Sequence, residues 1–412
     1  MFTCCNICYP LWQQKGDNID GEALDDQSGS SVSLSSDGTV MAIGAPGNYF
    51  SNDSSYSGRV RVYEWNAGSW QQKGDDIDGE AANDYFGGSV SLSSDGTVMA
   101  IGAPGNYHSS YSGRVRVYKW NANTLPQSWE QMGDGIDGEA AADKSGWSVS
   151  LSSDGTAVAI GARGNDDNGT DSGHVRVYKW NETSSSWQQK GDNIDGEAAG
   201  DEFGTSVSLS SDGNVVAIGA PYNDGTGTSA GHVRVYKWNT VTTSWDQMGT
   251  AIDGEAANDQ SGKSVSLSND GTVLAIGAFG NGNGGYYSGH VRVYEWDVDA
   301  FPPSWHQRGD DIDGEFFDWS GYSVSLSSDG TILAIGATDN GIDSGHVRVY
   351  EWNAGTSDWD QRGDDIDGEA AGDFSGWSVS LSSDGSVLAI GAPYNDGNGT
   401  SSGHVRVYEF SS

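Results

Sequence analysis

The sequence predicts an all-β fold: a seven-bladed β-propeller of four-stranded antiparallel blades, closed by the N-terminal strand completing blade 7. Three observations predict it. One unit returns seven times, opening at Trp12, Trp70, Trp129, Trp187, Trp245, Trp305 and Trp359, at spacings of 58, 59, 58, 58, 60 and 54 residues. Each unit holds four strand-like segments bounded by turn signals, and none reads as a helix of useful length. The chain also starts on a fourth-strand segment, LWQQKG, and stops on a third-strand segment, HVRVYEFSS. A unit this small cannot bury a core alone and must pack on its neighbours.

The innermost strand is SVSLS, Ser31 to Ser35 in the first unit, which alternates strictly. Asp37-Gly38 follows, a two-residue hairpin signal because both residues tolerate positive φ. It recurs at Asp95-Gly96, Asp154-Gly155, Asp212-Gly213, Asp270-Gly271, Asp329-Gly330 and Asp384-Gly385. The second strand, TVMAIGA, is apolar or small on both faces, as suits a strand sandwiched between two sheets. A variable Gly/Asn/Asp/Ser loop leads to HVRVYEW, rich in β-branched and aromatic residues. A short turn then reaches WQQKG, the outermost strand. Ser, Gly and Ala near the axis, with Val, Tyr and Trp farther out, fit a widening wedge. A solenoid would need distinct capping repeats, and neither end differs from the middle. The segment around Leu11 to Gly16 is therefore expected to pair with that around Val407. Residues 1–10 read as a tail carrying Cys4, Cys5 and Cys8, and 11–412 as one propeller.

Charge narrows the function classes. Asp and Glu number 58 against 20 Lys and Arg, a net of −38, and seven of the basic residues are the Arg inside VRVY. Nucleic acid and anionic membranes are poor partners for such a surface. It favours solubility, cation association and a saline or extracellular setting. No apolar run approaches the roughly 18 residues that span a bilayer. The opening MFTCCNICYPLW lacks the basic and long apolar segments of a signal peptide. Three cysteines in one short tail argue against a self-contained disulfide set. Sequons at Asn52, Asn168, Asn181 and Asn398 would be surface acceptors in a secreted chain. An extracellular or cell-surface monomer is expected, with the cytoplasm left open by the missing leader.

FGGSVSLSSDGTVMAIGAP, Phe86 to Pro104, followed by GRVRVY, resembles the FG-GAP repeat of integrin α-subunit propellers. Phe-Gly stands at Phe86-Gly87 and Phe203-Gly204. Gly-Ala-Pro stands at Gly44-Ala45-Pro46, Gly102-Ala103-Pro104, Gly219-Ala220-Pro221 and Gly391-Ala392-Pro393. The resemblance covers all seven units and implies extracellular adhesion or ligand binding. Calcium-binding units of that family carry an Asp-rich loop between their first two strands. This chain has only SSDGT there, so those calcium sites do not carry over. A weaker likeness to WD-repeats reflects shared blade grammar.

Antiparallel alternation sends the second-to-third loops and the inter-blade loops to one face, where GDxIDGEAAxD accumulates. Each such loop repeats three carboxylates, Asp20, Glu22 and Asp26 in the first copy and Asp78, Glu80 and Asp84 in the second. Oxygen ligands at this density could hold calcium. The competing reading is that they accept backbone N–H bonds or pair with the recurring Arg61, Arg116, Arg176, Arg234, Arg292, Arg348 and Arg406. Histidines at one repeat position (His174, His232, His290, His346, His404) stand too far apart on neighbouring blades to share an ion. A repeated structural hydrogen bond is expected of them. The residue between Gly and Ser before each inner strand varies from unit to unit: Ser30, Gly88, Trp147, Thr205, Lys263, Tyr322 and Trp377. With Tyr85, Trp319 and Phe374 these should ring the channel mouth as platforms for a sugar ring or a cation, or else pack between strand tops. Near-identical blades offer no distinct nucleophile–base set or uniquely apolar carboxylate, so an enzyme is not expected. The expectation is a ligand-binding or adhesion propeller for a protein or glycan ligand. A multivalent lectin and an intracellular interaction scaffold are the alternatives.

Overall fold

The alternation in SVSL produces a strand, Ser31–Leu34, that pairs antiparallel with Val40–Ala45, every residue of which is buried. Val40–Ala45 pairs with Arg59–Asn66, and that strand with Ser69–Gln72. The Asp-Gly turn is pinned by its own side chains. Ser35 Oγ donates to Asp37 Oδ1 at 2.7 Å and accepts from Val40 N at 2.9 Å, while Gly38 takes a φ of 65°. The same strand order recurs in every sheet, giving seven blades. This computed structural model describes residues 11–47, 56–106, 111–282, 285–341 and 343–411. Cys4, Cys5, Cys8 and Asn52 lie outside the described residues, among which there is no helix.

Blade 7 is built from both ends of the chain. Leu11–Gln14 lies beside His404–Ser411, with Trp12 opposite Phe410 and Lys15 N donating to Val407 O at 2.7 Å. One element escaped the sequence reading. The outer strand breaks after Gln72 and resumes at Ile77–Asp78, pairing with Val60 and Arg59 of the same third strand. Gly74, at φ 83°, interrupts the alternation, and two residues are too few for a periodicity to register.

Neighbouring blades are tied by concentric rings of hydrogen bonds. Nearest the axis, the N–H that precedes each Asp-Gly turn donates to the matching carbonyl of the next blade. The circle runs from Ser36 N–Ser94 O round to Ser383 N–Ser36 O, every bond 2.8–2.9 Å. One step out, the second Ser of SVSL accepts its neighbour's leucine N–H, as Ser33 Oγ does from Leu92 N at 3.0 Å. The first Ser donates to a neighbouring glycine carbonyl, Ser31 Oγ to Gly87 O at 2.8 Å. Near the outer edge, Trp70 Nε1 donates to Lys15 O at 2.9 Å, and Trp12 completes that circle on Arg362 O. Inner-strand serine thus supplies the bonds between blades as well as fitting a crowded axis.

The apolar core also lies between blades. Met99 and Ile101 of blade 2 pack with Val60 and Val62 of blade 1. The glycine of each Ile-Gly-Ala abuts the next blade's backbone: a Cβ on Gly102 would stand 2.0 Å from Gly146 O. No unit owns a core, which is why the repeat is obligatory.

Candidate functional site at the channel mouth

At the end of the channel opposite the Asp-Gly turns lies a cavity of about 660 Å³. Five of the seven residues that precede the inner strands, Gly88, Trp147, Lys263, Tyr322 and Trp377, line it together with Tyr85, Tyr111, Lys144, Pro46 and Pro104, while Ser30 and Thr205 stand outside its lining. Six of the ten residues expected at the mouth, Tyr85 and Gly88 among them, therefore share one cavity. Trp319 is absent from its lining and packs edge-on against Phe279 at 5.9 Å and Tyr287 at 6.5 Å. The backbone that presents these side chains is a shared device. Tyr85, Lys144, Trp319 and Phe374 all take φ between 50° and 56°, as do Gln27, Glu202 and Gln260 at the same repeat position. That strain belongs to every blade and marks no single site.

The walls are aromatic and ordered by contact. Tyr322 and Trp377 lie 4.7 Å apart, and Tyr394 and Phe374 brace Trp377 at 5.6 and 6.4 Å. The Arg163 guanidinium sits 3.4 Å from the centre of the Trp147 ring and is ion-paired with Glu202. That cover leaves Trp147 one face for other contacts. Lys263 Nζ lies 4.9 Å from the Tyr322 ring. Burial pushes Lys263 down to about 8, with the positive charge of Arg163 adding and Glu202 opposing. The Tyr322 phenol is raised by burial and stays protonated.

The face was expected to be acidic throughout, yet no carboxylate lines this cavity among the described residues. The acidic groups are used elsewhere. Asp26 and Asp84 are buried, each accepting two backbone N–H bonds of its own loop (Glu22 and Ala23; Glu80 and Ala81). Glu22 and Asp78 contact Arg59, and Glu80 contacts Arg114 at 2.9 Å. Asp20 faces His404 Nδ1 at 3.9 Å, while its carbonyl accepts from Arg61 Nη2 at 2.8 Å. The six carboxylates of the two loops are thus spread over several partners rather than converging on one point. Arg116, Arg176, Arg234, Arg292 and Arg406 repeat the bond to a neighbouring loop carbonyl; Arg348 pairs with Asp318 and Asp365 at 3.0 Å instead.

The histidines correct a sequence expectation. All five are buried, but a repeated structural hydrogen bond is not what they make. Both ring nitrogens of His174, His290 and His404 are without a hydrogen-bond partner among the described residues. The third-strand N-terminus faces loops about 35 residues earlier in the chain, so no local sequence pattern reports its surroundings. Sequence reasoning also missed Tyr111, Lys144 and the Arg163–Glu202 pair. Variation just after Gly-Ala (Pro46, Pro104, Arg163, Phe279, Thr338) was the available signal.

Seven antiparallel sheets arranged in this way around one channel define a β-propeller with a cavity at its mouth. The particular kind follows from the repeat. The family model for the FG-GAP repeat matches residues 77–118, 136–178, 195–236 and 366–408, so four stretches of this seven-bladed propeller carry FG-GAP repeats. No curated protein matches it in sequence. Solved structures share its fold. A Bacteroides uniformis protein named provisionally as a 6-phosphogluconolactonase has 11% identity and a TM-score of 0.58, covering 86% of this chain and 89% of its own. Sqt1 from Chaetomium thermophilum has 15% identity and a TM-score of 0.52 over 93% and 83% of the two chains. U3-55K has 15% and 0.52 over 95% and 98%. At these identities the likeness is one of architecture, and the lactonase name carries no activity to this chain. The FG-GAP propeller supports an interaction role, and no helix among the described residues is long and apolar enough to cross a membrane.

Proposed function

We propose that the protein is a non-catalytic, adhesion-type propeller that seats one ligand at the channel mouth, and that the ligand is a glycan. The carrying observation is the aromatic cavity itself, in which Trp147, Tyr322 and Trp377 share the lining with the ammonium groups of Lys144 and Lys263. Sugar rings present C–H faces that stack on such walls and hydroxyls that accept from an ammonium or phenol. Because the residues at this position vary among the blades and only five of the seven line the cavity, this reading favours a single site over seven weak ones. The net charge of −38 and exposed sequons at Asn168 and Asn398 support an extracellular or cell-surface setting. Glycan-array binding followed by Trp377→Ala and Trp147→Ala tests it. Binding should fall by about fivefold or more for each, since stacking on one ring is worth roughly 1 kcal/mol, with melting little changed. A blank array, or binding untouched by both substitutions, overturns the reading.

A further inference from the structure

The first residue of the third strand is Arg in blades 1 and 2 and His in blades 3 to 7. In blades 1, 2, 5 and 7 that position faces the Glu of the preceding inter-blade loop and an Asp of the following one. In blade 1, Arg59 contacts Glu22 and lies 2.8 Å from Asp76 and 2.7 Å from Asp78. In blade 2, Arg114 bonds Glu80 at 2.9 Å and takes Asp137 in a two-pronged grip. A guanidinium thus neutralises the carboxylates wherever it is present.

Blade 3 keeps the carboxylates and loses the cation. Glu139 and Asp195 are the counterparts of Glu80 and Asp137, and the adjoining loop adds Asp167. His174 is 0% exposed, and neither ring nitrogen has a hydrogen-bond partner among the described residues. Its Nδ1 points at the acidic group, 3.8 Å from Glu139 Oε2 and 3.9 Å from Asp167 Oδ2. Asp195 Oδ1 is also buried without a partner, and burial together with Asp167 and Glu139 raises its pKa. Arg176 stands 3.7 Å from Glu139, but Arg116 stands equally far from Glu80 in blade 2. That contact is common to both blades and does not replace the missing charge. Blade 5 repeats the arrangement, with His290 Nδ1 4.0 Å from both Glu255 and Asp311. In each set the three ligand atoms lie within 4.8 Å of one another.

We infer that blades 3 and 5 each bind a divalent transition-metal ion, Zn²⁺ or a close relative, through His174, Glu139 and Asp167 and through His290, Glu255 and Asp311. The ion takes the place that a guanidinium fills in blades 1 and 2. An imidazole nitrogen selects Zn²⁺, Co²⁺ or Ni²⁺ over calcium and magnesium, which prefer oxygen alone. Burial, with Arg176 adding, pushes His174 down to about 4, so its ring is neutral and its lone pair available at neutral pH. The nitrogen-to-oxygen separations exceed the roughly 3.3 Å edge of a tetrahedral zinc shell. The carboxylates must therefore close in by about half an ångström. Both can, because the Glu139 and Asp167 side chains are 42% and 59% exposed. Asn193 Nδ2, donating to Glu139 Oε2 at 2.9 Å, orients that ligand from behind. Blade 6 does not join them, because Arg348 already holds Asp318 at 3.0 Å, nor does blade 7, where the His404, Glu369 and Asp20 atoms do not all come within 4.8 Å of one another.

Calorimetric titration of the chelator-stripped full chain with Zn²⁺, its cysteines alkylated, tests the inference. Wild type should bind about two equivalents, and His174→Arg should remove one. His174→Arg/His290→Arg should remove both, with the fold kept because blades 1 and 2 already carry Arg there. Asp167→Asn, an exposed change, should weaken the blade 3 site by about tenfold or more. A hundredfold excess of Ca²⁺ should leave bound Zn²⁺ in place. No heat with wild type, an unchanged stoichiometry in the double variant, or displacement by Ca²⁺ would each overturn it.

Discussion

At the Asp-Gly end of the central channel every blade contributes the same atoms. Ser36, Ser94, Ser153, Ser211, Asn269, Ser328 and Ser383 pass a backbone hydrogen bond from one to the next around a space of about 140 Å³. At the other end the equivalent strand tops hold Ser30, Gly88, Trp147, Thr205, Lys263, Tyr322 and Trp377, around a cavity several times larger. Both ends rest on the same scaffold of Ser–Gly and Gly–Gly contacts. Architecture therefore resides where the units agree, and recognition where they differ. In a repeat protein the departures from the consensus carry the information about ligands.

That contrast can be broken first at its shared side. Deleting residues 1–18 removes Leu11–Gln14 from blade 7 and Trp12 from its bond to Arg362. The loss should be at least the roughly 3 kcal/mol of a truncated core aromatic, read as a large drop in melting temperature. Unchanged melting would show that the clasp does not close the ring. Gly102→Ala should cost less, about 1–3 kcal/mol, because the new methyl would stand 2.0 Å from Gly146 O in the next blade. A shift in urea midpoint of that size would confirm that the two glycines of the motif serve blade-to-blade contact. The smallest effect belongs to the mouth. Lys263, with its pKa lowered to about 8, is an ammonium below that pH and loses its charge above it. Affinity for a glycan should fall severalfold between about pH 7 and pH 9, and Lys263→Met should flatten the profile. A wild-type profile already flat across that range would remove Lys263 from the ligand contact.

How far the sequence could be read follows the same division. The four strands, the Asp-Gly turns and the clasp were legible because each signal is local and repeated in every unit. The Ile77–Asp78 strand was not, since two residues after a glycine leave no period to detect. Trp147, Lys263, Tyr322 and Trp377 were legible as a set through their variation against a constant background. Their surroundings were not: Arg163 covering one face of Trp147, and the lack of a lining carboxylate among the described residues, depend on loops distant in sequence from these positions. The histidines were visible as a substitution for Arg59 and Arg114. Their lack of partners depends on the loops that supply Glu139 and Asp167, which only the folded ring brings beside them.

The clasp brings two distant stretches of the chain together at one seam. Ser411 Oγ donates to Leu11 O at 3.0 Å, so the two ends of the described chain already lie side by side on one sheet. Every junction between blades uses the same set of bonds, which leaves the circle without a privileged origin. A short linker across that seam, with a new opening cut in an exposed outer turn such as 182–185, yields a permuted gene encoding the same ring. For this molecule the order of the units in the polypeptide is a historical choice that the folded state does not record.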